Sequence, residues 1–488
     1  MNRREFSKRM AMLGMGLPAV SAVPQPDRPR KPLGDVYEEP ARKLPVRRFD
    51  VAVAGAGTAG VVAALAAARQ GAKTILVERK GYPGGTVVEG GTALHSYFNL
   101  WKAFPGVEKR QVVKGIPQEI VERLEQAGGT SGHAEMLLGY NYDSVCTAID
   151  TEIYKLVAFE MLVEAGVSVA VNTLLAGAVM DGARLQAAIA ESHSGREAIL
   201  AGAFVDCTAY GDLAAFAGAR YAEPNDYPVV NSMGVGGVDV EKYYGFLQSG
   251  GAVTQLARGR RGGRDGQIVR IDTHARNLPA AFHAEAGKIG LAMVTTTVQD
   301  DYFMFVKIGL KMPVSPTDRD AVSKAELELR KRQARAVGLF RKYVPGCEKA
   351  FIARTSPSLN IRRARVIACD YDLTRADVLE ARHFDDDVMA YGFHDSAPRL
   401  QIRGGGTYGV PYKALRVAGV ENLLAAGMMI TTDHDAHMST RNTVCCMGQG
   451  QAAGTAAALC AAKKCGTRQL RYADLRDALL KGGVHLEG

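Results

Sequence analysis

Residues 48–78 read RFDVAVAGAGTAGVVAALAAARQGAKTILVE. The run Asp50–Ala54 has the length and apolar character of a buried strand, and Gly55-Ala56-Gly57-Thr58-Ala59-Gly60 follows it as a G-x-G-x-x-G turn. An Ala-rich helix runs on to about Gln70, where Gly71 ends it, and Thr74–Val77 is a second strand closed by Glu78. Each residue type has a mechanical reason. Gly55 permits the tight turn, Gly57 lets the backbone approach a pyrophosphate, and Gly60 lets helix and strand pack closely. Thr58 and Ala59 complete a cradle whose unpaired helical N–H groups suit phosphate oxygens. Glu78 follows at the usual distance for an acid that accepts hydrogen bonds from a ribose diol. Strand, turn, helix and a strand ending in an acid together predict a Rossmann-like α/β fold that binds a dinucleotide.

The following residues choose among dinucleotides. After Glu78 and Arg79 the chain reads KGYPGGTVVEGGT, with Gly84-Gly85-Thr86 and then Gly90-Gly91. A nicotinamide-binding domain would go on to its next helix and strand. A glycine-rich loop that stays beside the ribose acid suits a longer, bent ligand, which points to FAD. Downstream, Asp150-Thr151-Glu152 is an N-cap followed by early acidic charge. Ile153, Leu156, Val157 and Phe159 keep a helical period, and Gly166 stops it. Val167, Val169 and Val171 alternate as a strand, and two more strand-like runs are parted by the turns MDGAR and SHSGRE. Phe204–Asp212 then returns the chain to the cofactor on a small-residue turn.

Composition sets further bounds. The 488 residues suffice for two or more domains, and 47% hydrophobic with 23% charged residues is ordinary for a globular chain. Much of the net charge of +9 sits before Asp50, and no basic helix is interleaved with aromatics, so nucleic acid is not an expected partner. Asn2-Arg3-Arg4-Glu5-Phe6-Ser7-Lys8 is close to the twin-arginine export pattern. Met10–Val20 is a weakly apolar stretch too short to span a bilayer, and Val20-Ser21-Ala22 is an acceptable cleavage site. Their order predicts a signal peptide over 1–22, passage through the twin-arginine translocase and a periplasmic or secreted location. Residues 23–47, rich in Pro and charge, read as a linker. The 8 cysteines form no CxxC or CxxCH motif, and adjacent Cys445 and Cys446 are expected to be two buried thiols rather than a strained vicinal disulfide.

Six segments carry a family resemblance: DVAVAGAGTAGVVAALAAARQGAKTILVER, GYPGGT, FVDCTAYGDLAAFAGA, LNIRRARVIACDYDLTRADVL, YGVPYKAL and ENLLAAGMMITTDHDAHMSTRNTVCCMGQGQAAGTAAAL. From about Asp50 to Ala462 the chain resembles the FAD-dependent oxidoreductase group of the glutathione-reductase/fumarate-reductase flavoprotein superfamily. The resemblance implies an α/β, Rossmann-like FAD-binding domain of the glutathione-reductase type in two parts, 48–215 and 400–488. An α+β substrate or cap domain, 216–399, would interrupt it and cover the isoalloxazine. Implied cofactor contacts extend to Arg79, Gly84, Gly85, Thr86 and Gly427 and, on the last helix, to Gly448 and Gln449. Two departures stand out. Asp206-Cys207-Thr208-Ala209-Tyr210-Gly211-Asp212 lies where relatives often have DATGDGD, and Met428-Met429 stands where they often show Arg-Cys. Many relatives have no assigned substrate, so the resemblance supplies no reaction.

The stretch DHDAHMSTR, residues 433–441, lies just upstream of the last helix, expected from about Gly448 to Ala462. In proteins of this resemblance that helix points its N-terminus at the flavin, so the stretch should border the site. His434 and His437 are candidate bases, because neutral imidazole has a suitable pKa, and Arg441 accompanies them. The competing reading has both histidines bonded to backbone and Asp435 capping the helix. A metal site is not expected, since no third ligand is evident. In NIRRAR, read as a strand, Arg363 and Arg365 share one face and Arg362 takes the other. Arg363 is a candidate for a substrate carboxylate or the flavin O2 side, with ion pairing to Asp370 or Asp372 as the alternative. His95 and Tyr97 are placed to reach the flavin face, and a covalent flavin link through His95 is a further option. LARGRRGGRDGQ reads as a solvated loop, and AVSKAELELRKRQARAVGLFRKY as a surface helix. The expected chemistry is hydride transfer between FAD and a small hydroxyl-bearing substrate: an alcohol, a sugar or a hydroxy acid. Electrons would leave to a quinone, a redox protein or oxygen. The alternatives are fumarate-reductase-like reduction of an activated double bond, and a flavin-containing binding or assembly protein without turnover.

Overall fold

The structure, a computed structural model, describes residues 39–140, 143–293, 295–396, 399–430 and 433–486. The expected signal peptide and most of the linker lie outside the described residues. From Leu44 onward the chain forms one compact unit. Strand β1 (Val46–Ala54) starts inside the supposed linker, because Val46 and Arg47 already pair with Ala198 and Ile199. Helix α1 (Thr58–Arg69) and β2 (Thr74–Val77) follow as the glycine motif requires. The Asp150 carboxylate caps the helix Thr151–Glu164, accepting from the N–H groups of Glu152 and Ile153.

That helix leads to β3 (Ser168–Ala170), and β4 (Leu174–Asp181), β5 (Arg184–Ser192) and β6 (Gly195–Asp206) come next. They order as β3–β2–β1–β6–β5–β4. β3, β2, β1 and β6 are parallel, and the strand Leu423–Ala425 adds parallel to the second half of β6. Register aligns Ala54 with Val77 and with Asp206, and Asp206 with Ala425. Their carboxyl ends therefore open on one crest, where sheets of this kind take their ligands.

A second core gathers around β7 (Val229–Gly236). β8 (Gln255–Arg261) and β9 (Arg264–Asp272) form a hairpin, and β10 (Tyr302–Leu310) pairs with β7. Helix α2 (Arg319–Tyr343) buries Ala325, Leu329, Ala336, Val337 and Phe340 and turns its charges outward, as expected of a surface helix. β11 (Phe351–Thr355) pairs with the other edge of β7. The hairpin corrects the reading of LARGRRGGRDGQ as a solvated loop. Gly262 and Gly263 both adopt positive φ between paired Arg261 and Arg264, the two-residue turn that right-twisted strands favour. Arg261 is 2% exposed and pairs with Glu241 and Asp300. The hairpin shares a six-stranded sheet with Leu94–His95, Ala134–Leu138 and Val145–Thr147. Strands from both sides of the expected 215/216 boundary thus lie in one sheet.

The chain closes with α3 (His434–Thr440) and α4 (Thr443–Lys463). α4 lies against α1 at backbone distance. A Cβ on Gly450 would stand 2.2 Å from Ala59 O, and one on Gly454 2.0 Å from Ala63 O. The glycines at a spacing of four on α4 meet alanines at the same spacing on α1, which is why this helix is so rich in small residues.

Candidate active site

The cofactor cradle is built at the crest of the parallel sheet. Gly55 has φ +88°, and a Cβ there would lie 2.7 Å from Cys207 O. A Cβ on Gly60 would lie 1.8 Å from Gly55 O, so this glycine seats α1 on the strand turn. Gly57 differs. Its φ is −66°, and a Cβ would meet only Cys207 O, at 4.0 Å. Gly57 lines a cavity of about 740 Å³ with Thr58, Ala59, Glu78 and Arg79. Gly85, Thr86 and Gly427 stand on the same wall. Glu78 Oε2 accepts from Ala56 N–H at 2.7 Å and Oε1 from Lys80 N–H at 2.9 Å. The carboxylate is thereby held still, with lone pairs left for a diol. An uncapped helix start, a glycine with open space above it and a fixed acid fit the pyrophosphate and ribose of FAD.

Four expected contacts lie behind this wall. Gly60 and Gly84 are packing residues, and Gly84 donates to Ala56 O at 2.8 Å. Gly448 and Gln449 are displaced because α4 begins at Thr443, five residues earlier than expected, which puts them on its second turn. A Cβ on Gly448 would meet Met389 Cε at 2.5 Å. Gln449 accepts from Gly427 N–H at 2.7 Å and donates to Thr440 O at 2.8 Å, so it shapes the Gly427 turn from beneath. The residues of this helix mouth on a cavity wall are Asn442, Thr443 and Cys446. Cys445 and Cys446 are two free, buried thiols. The departing segment 207–210 is on the wall too, with the Tyr210 ring 5.4 Å from the Arg79 guanidinium. Asp206 beneath it is fully buried and accepts from Thr208 N–H, Thr208 Oγ1 and Ala214 N–H. Burial pushes its carboxyl up to about 6 against these hydrogen bonds.

A second cavity, about 1140 Å³, shares Thr58, Thr86, Asn360, Ile361, Met428 and Cys446 with the first. His95 stands on its wall, with Nδ1 2.5 Å from Asp143 Oδ2 and Nε2 3.4 Å from Arg270 Nη1. Arg270 also donates to Gln255 Oε1 at 2.8 Å. Lys307, Arg362, Asp395 and Arg441 face the same space, and Arg441 is paired with Asp395. Asp143, Arg270, Lys307 and Asp395 were not singled out by the sequence. A lone lysine inside the apolar strand YFMFVKIGL was the available signal for Lys307.

DHDAHMSTR, expected just upstream of the last helix, forms a helix of its own, α3, with Asp433 and Arg441 as its caps. Asp433, not Asp435, caps it, accepting from the N–H groups of Asp435 and Ala436. Asp435 pairs with Arg375. His434 is off the cavity wall. It bonds Asp226 Oδ2 at 2.7 Å, stacks on Tyr227 at 4.6 Å, and its side chain is 43% exposed. His437 is buried with Nε2 2.8 Å from Arg362 O, and burial first, then Arg441, holds its imidazole neutral. Arg363, also expected at the reaction site, is buried against Asp226 at 2.6 Å. Of the four expected catalytic residues only Arg441 lines either of these two cavities. NIRRAR is not a strand; Asn360 alone bridges Val230. Asp370 pairs with Arg416 and Arg468, not with the Arg362–Arg365 cluster. Among the described residues no group of three or more His, Cys, Asp or Glu is placed to hold a metal ion.

The 3-oxosteroid 1-dehydrogenase of Mycolicibacterium smegmatis is 35% identical over 94 residues, 19% of this chain and 16% of that protein. The enzyme of the same name from Mycobacterium tuberculosis is 37% identical over 75 residues, 15% of this chain and 12% of that one. The alignments thus span under a fifth of these relatives. Among solved structures, a geranylgeranyl bacteriochlorophyll reductase-like protein from Thermoplasma acidophilum is 13% identical, with TM-score 0.46, covering 90% of this chain and 85% of that one. A flavoprotein/dehydrogenase from Cytophaga hutchinsonii is 12% identical, with TM-score 0.43, covering 84% and 78%. The model of the FAD dependent oxidoreductase family matches residues 50–479, nearly all of the folded unit, and the chain therefore belongs to that family of FAD-dependent enzymes.

Proposed function

We propose that the protein is a dehydrogenase of a small hydroxyl-bearing substrate, with His95 as its base. The observation that carries this reading is the His95–Asp143 pair on the wall of a cavity that continues from the FAD cradle. The FAD is proposed to lie extended in the glutathione-reductase manner, with Glu78 at its ribose and Gly57 and Thr58 at its phosphates, and the 216–399 region over its ring. Bound there, FAD supplies a two-electron acceptor for the hydrogen on the hydroxyl-bearing carbon. His95 Nε2 accepts from Arg270 Nη1 at 3.4 Å in the free site; the substrate hydroxyl displaces that contact, Nε2 takes its proton, and a carbonyl remains. Asp143 fixes the ring with Nδ1–H toward itself, leaving Nε2 as the accepting atom, and stabilises the imidazolium that forms. His434 and His437 have no part in this step: His434 lies off the cavity wall against Asp226, and His437 Nε2 is bonded to Arg362 O.

The test is anaerobic reduction of the bound flavin across sugars, polyols, hydroxy acids and enoates. His95→Asn should keep FAD and slow reduction by on the order of 10²–10⁴-fold, the usual worth of a positioned base. Full-speed reduction in that variant overturns the reading. One observation favours a second reading, addition of hydride to an activated double bond: Arg362 stands on the cavity wall, where burial and then Arg441 favour release of its proton. Oxidation of reduced flavin by enoates, with no reduction by any hydroxyl compound, would select it. We further propose export through the twin-arginine route, to a quinone, redox protein or oxygen as acceptor. Replacing Arg3 and Arg4 by Lys should then leave the protein in the cytoplasm.

A further inference from the structure

We propose that the substrate is an anionic hydroxy acid whose carboxylate is gripped by Lys307 and Arg362, with Arg270 and Arg441 beside it. This rests on the dehydrogenase reading and narrows its substrate. The second cavity carries four cationic side chains, Arg270, Lys307, Arg362 and Arg441, against one wall carboxylate, Asp395. Asp395 is committed to Arg441, and Arg270 to Gln255. The Lys307 ammonium and the Arg362 guanidinium have neither hydrogen bond nor ion pair among the described residues. Both are mostly enclosed. Burial, and then Arg362, pushes the Lys307 amine down to about 8, while Asp395 acts the other way. Asp395, already paired with Arg441, is the one carboxylate on this wall near both, so the two enclosed cations are under-compensated, and a carboxylate arriving between them relieves both.

The placement suits recognition. Lys307 lies on β10 directly across from Ser232 on β7, and Phe305, two residues earlier, shares its face of the strand and lines the cavity. Arg362 stands next to Asn360 and Ile361, which are common to both cavities. A carboxylate held at Lys307 and Arg362 leaves the remainder of the molecule between His95 and the shared wall of Thr58, Met428 and Cys446. These cations are not part of the phosphate cradle, whose own cations are Arg79 and Lys80, the latter paired with Glu89. The reaction balances: the carbon-bound hydrogen leaves with two electrons to FAD, the hydroxyl proton goes to His95, and the carboxylate is unchanged.

The test uses the FAD-loaded protein titrated with malonate, which has carboxylates and no hydroxyl, and with neutral malonamide, read by the flavin visible difference spectrum. Malonate should bind saturably and more weakly as ionic strength rises, and malonamide should not bind. Lys307→Met and Arg362→Met should each raise the malonate Kd by on the order of 10–100-fold, the loss expected when one charged partner of an enclosed ion pair is removed. Arg362→Lys should recover part of that loss. His95→Asn should bind malonate almost normally while its flavin is reduced on the order of 10²–10⁴-fold more slowly by hydroxy acids, so a failed base assignment is distinguishable from a failed anion site. No malonate binding in the wild type overturns the proposal, as does unchanged binding in both Met variants. Loss of FAD from the Met variants also overturns it, because the cations would then serve the cofactor.

Discussion

Gly57→Val and Gly60→Ala lie three residues apart and should fail in opposite ways. At Gly57 the backbone sits at φ −66° and ψ −175°, which any L-residue adopts, and a Cβ would meet only Cys207 O at 4.0 Å. The valine therefore costs little in folding. Its methyl groups occupy the space over the helix start where the pyrophosphate must come. Displacing a phosphate by that much should weaken FAD binding at least 100-fold. The missing ligand stabilisation is then about 2.3 kcal/mol, rising to about 2.7 kcal/mol for complete loss of binding, where FAD would otherwise stand at 100 times its Kd. Gly60→Ala gains about 1 kcal/mol of helix propensity. Its Cβ, however, would lie 1.8 Å from Gly55 O, so α1 must retreat from the strand turn by more than 1 Å. Overpacking of that kind costs about 1–3 kcal/mol or more and also opens the α1–α4 contact. The assay is the flavin-to-protein absorbance ratio after purification, with thermal melts with and without added FAD. Gly57→Val should be a colourless, folded protein whose melting temperature added FAD does not raise. Gly60→Ala should melt early in either condition. A yellow Gly57→Val protein with full FAD content would refute the cradle assignment.

Asp206 gives a pH signature. Its folded pKa is raised to about 6 from an ordinary 3.8, so between these values the unfolded chain holds fewer protons, and this group's contribution to stability falls as pH rises. Going from pH 4 to pH 7, wild type should lose up to about 3 kcal/mol relative to Asp206→Asn, and parallel stability curves would contradict the burial argument. His434→Ala should leave flavin reduction within a few fold of wild type, since its imidazole faces Asp226 and Tyr227 rather than the cavity. It should lower stability by about 1 kcal/mol through the lost stack and the half-exposed hydrogen bond to Asp226. A large, specific loss of reduction rate with normal FAD content would return the base role to His434.

Local signals were legible. The β1–turn–α1–β2 unit is specified by residues close in sequence, because a strand, a glycine turn and a helix start each depend on their neighbours' backbone conformations. The Asp150 cap and the small-residue spacing of α4 are of the same kind, and so was FAD. The hairpin turn at Gly262-Gly263 was also written locally, though charge drew the reading away from it. The reaction site was not legible in this way. His95 becomes a base candidate only because Asp143 lies 2.5 Å from Nδ1, leaving Nε2, now facing Arg270, as the accepting atom. Lys307 faces the cavity through the register that pairs it with Ser232, and a shift of one residue would turn it to the other face. Conversely, DHDAHMSTR looked like an active site because it concentrates titratable groups. Helix geometry turned His434 outward, buried His437 against Arg362 O, and left Arg441 alone at the cavity. Residue type and local spacing determine which chemistry a chain can carry. Which side chains share one space follows from strand register and helix rotation, set by contacts between residues far apart in sequence.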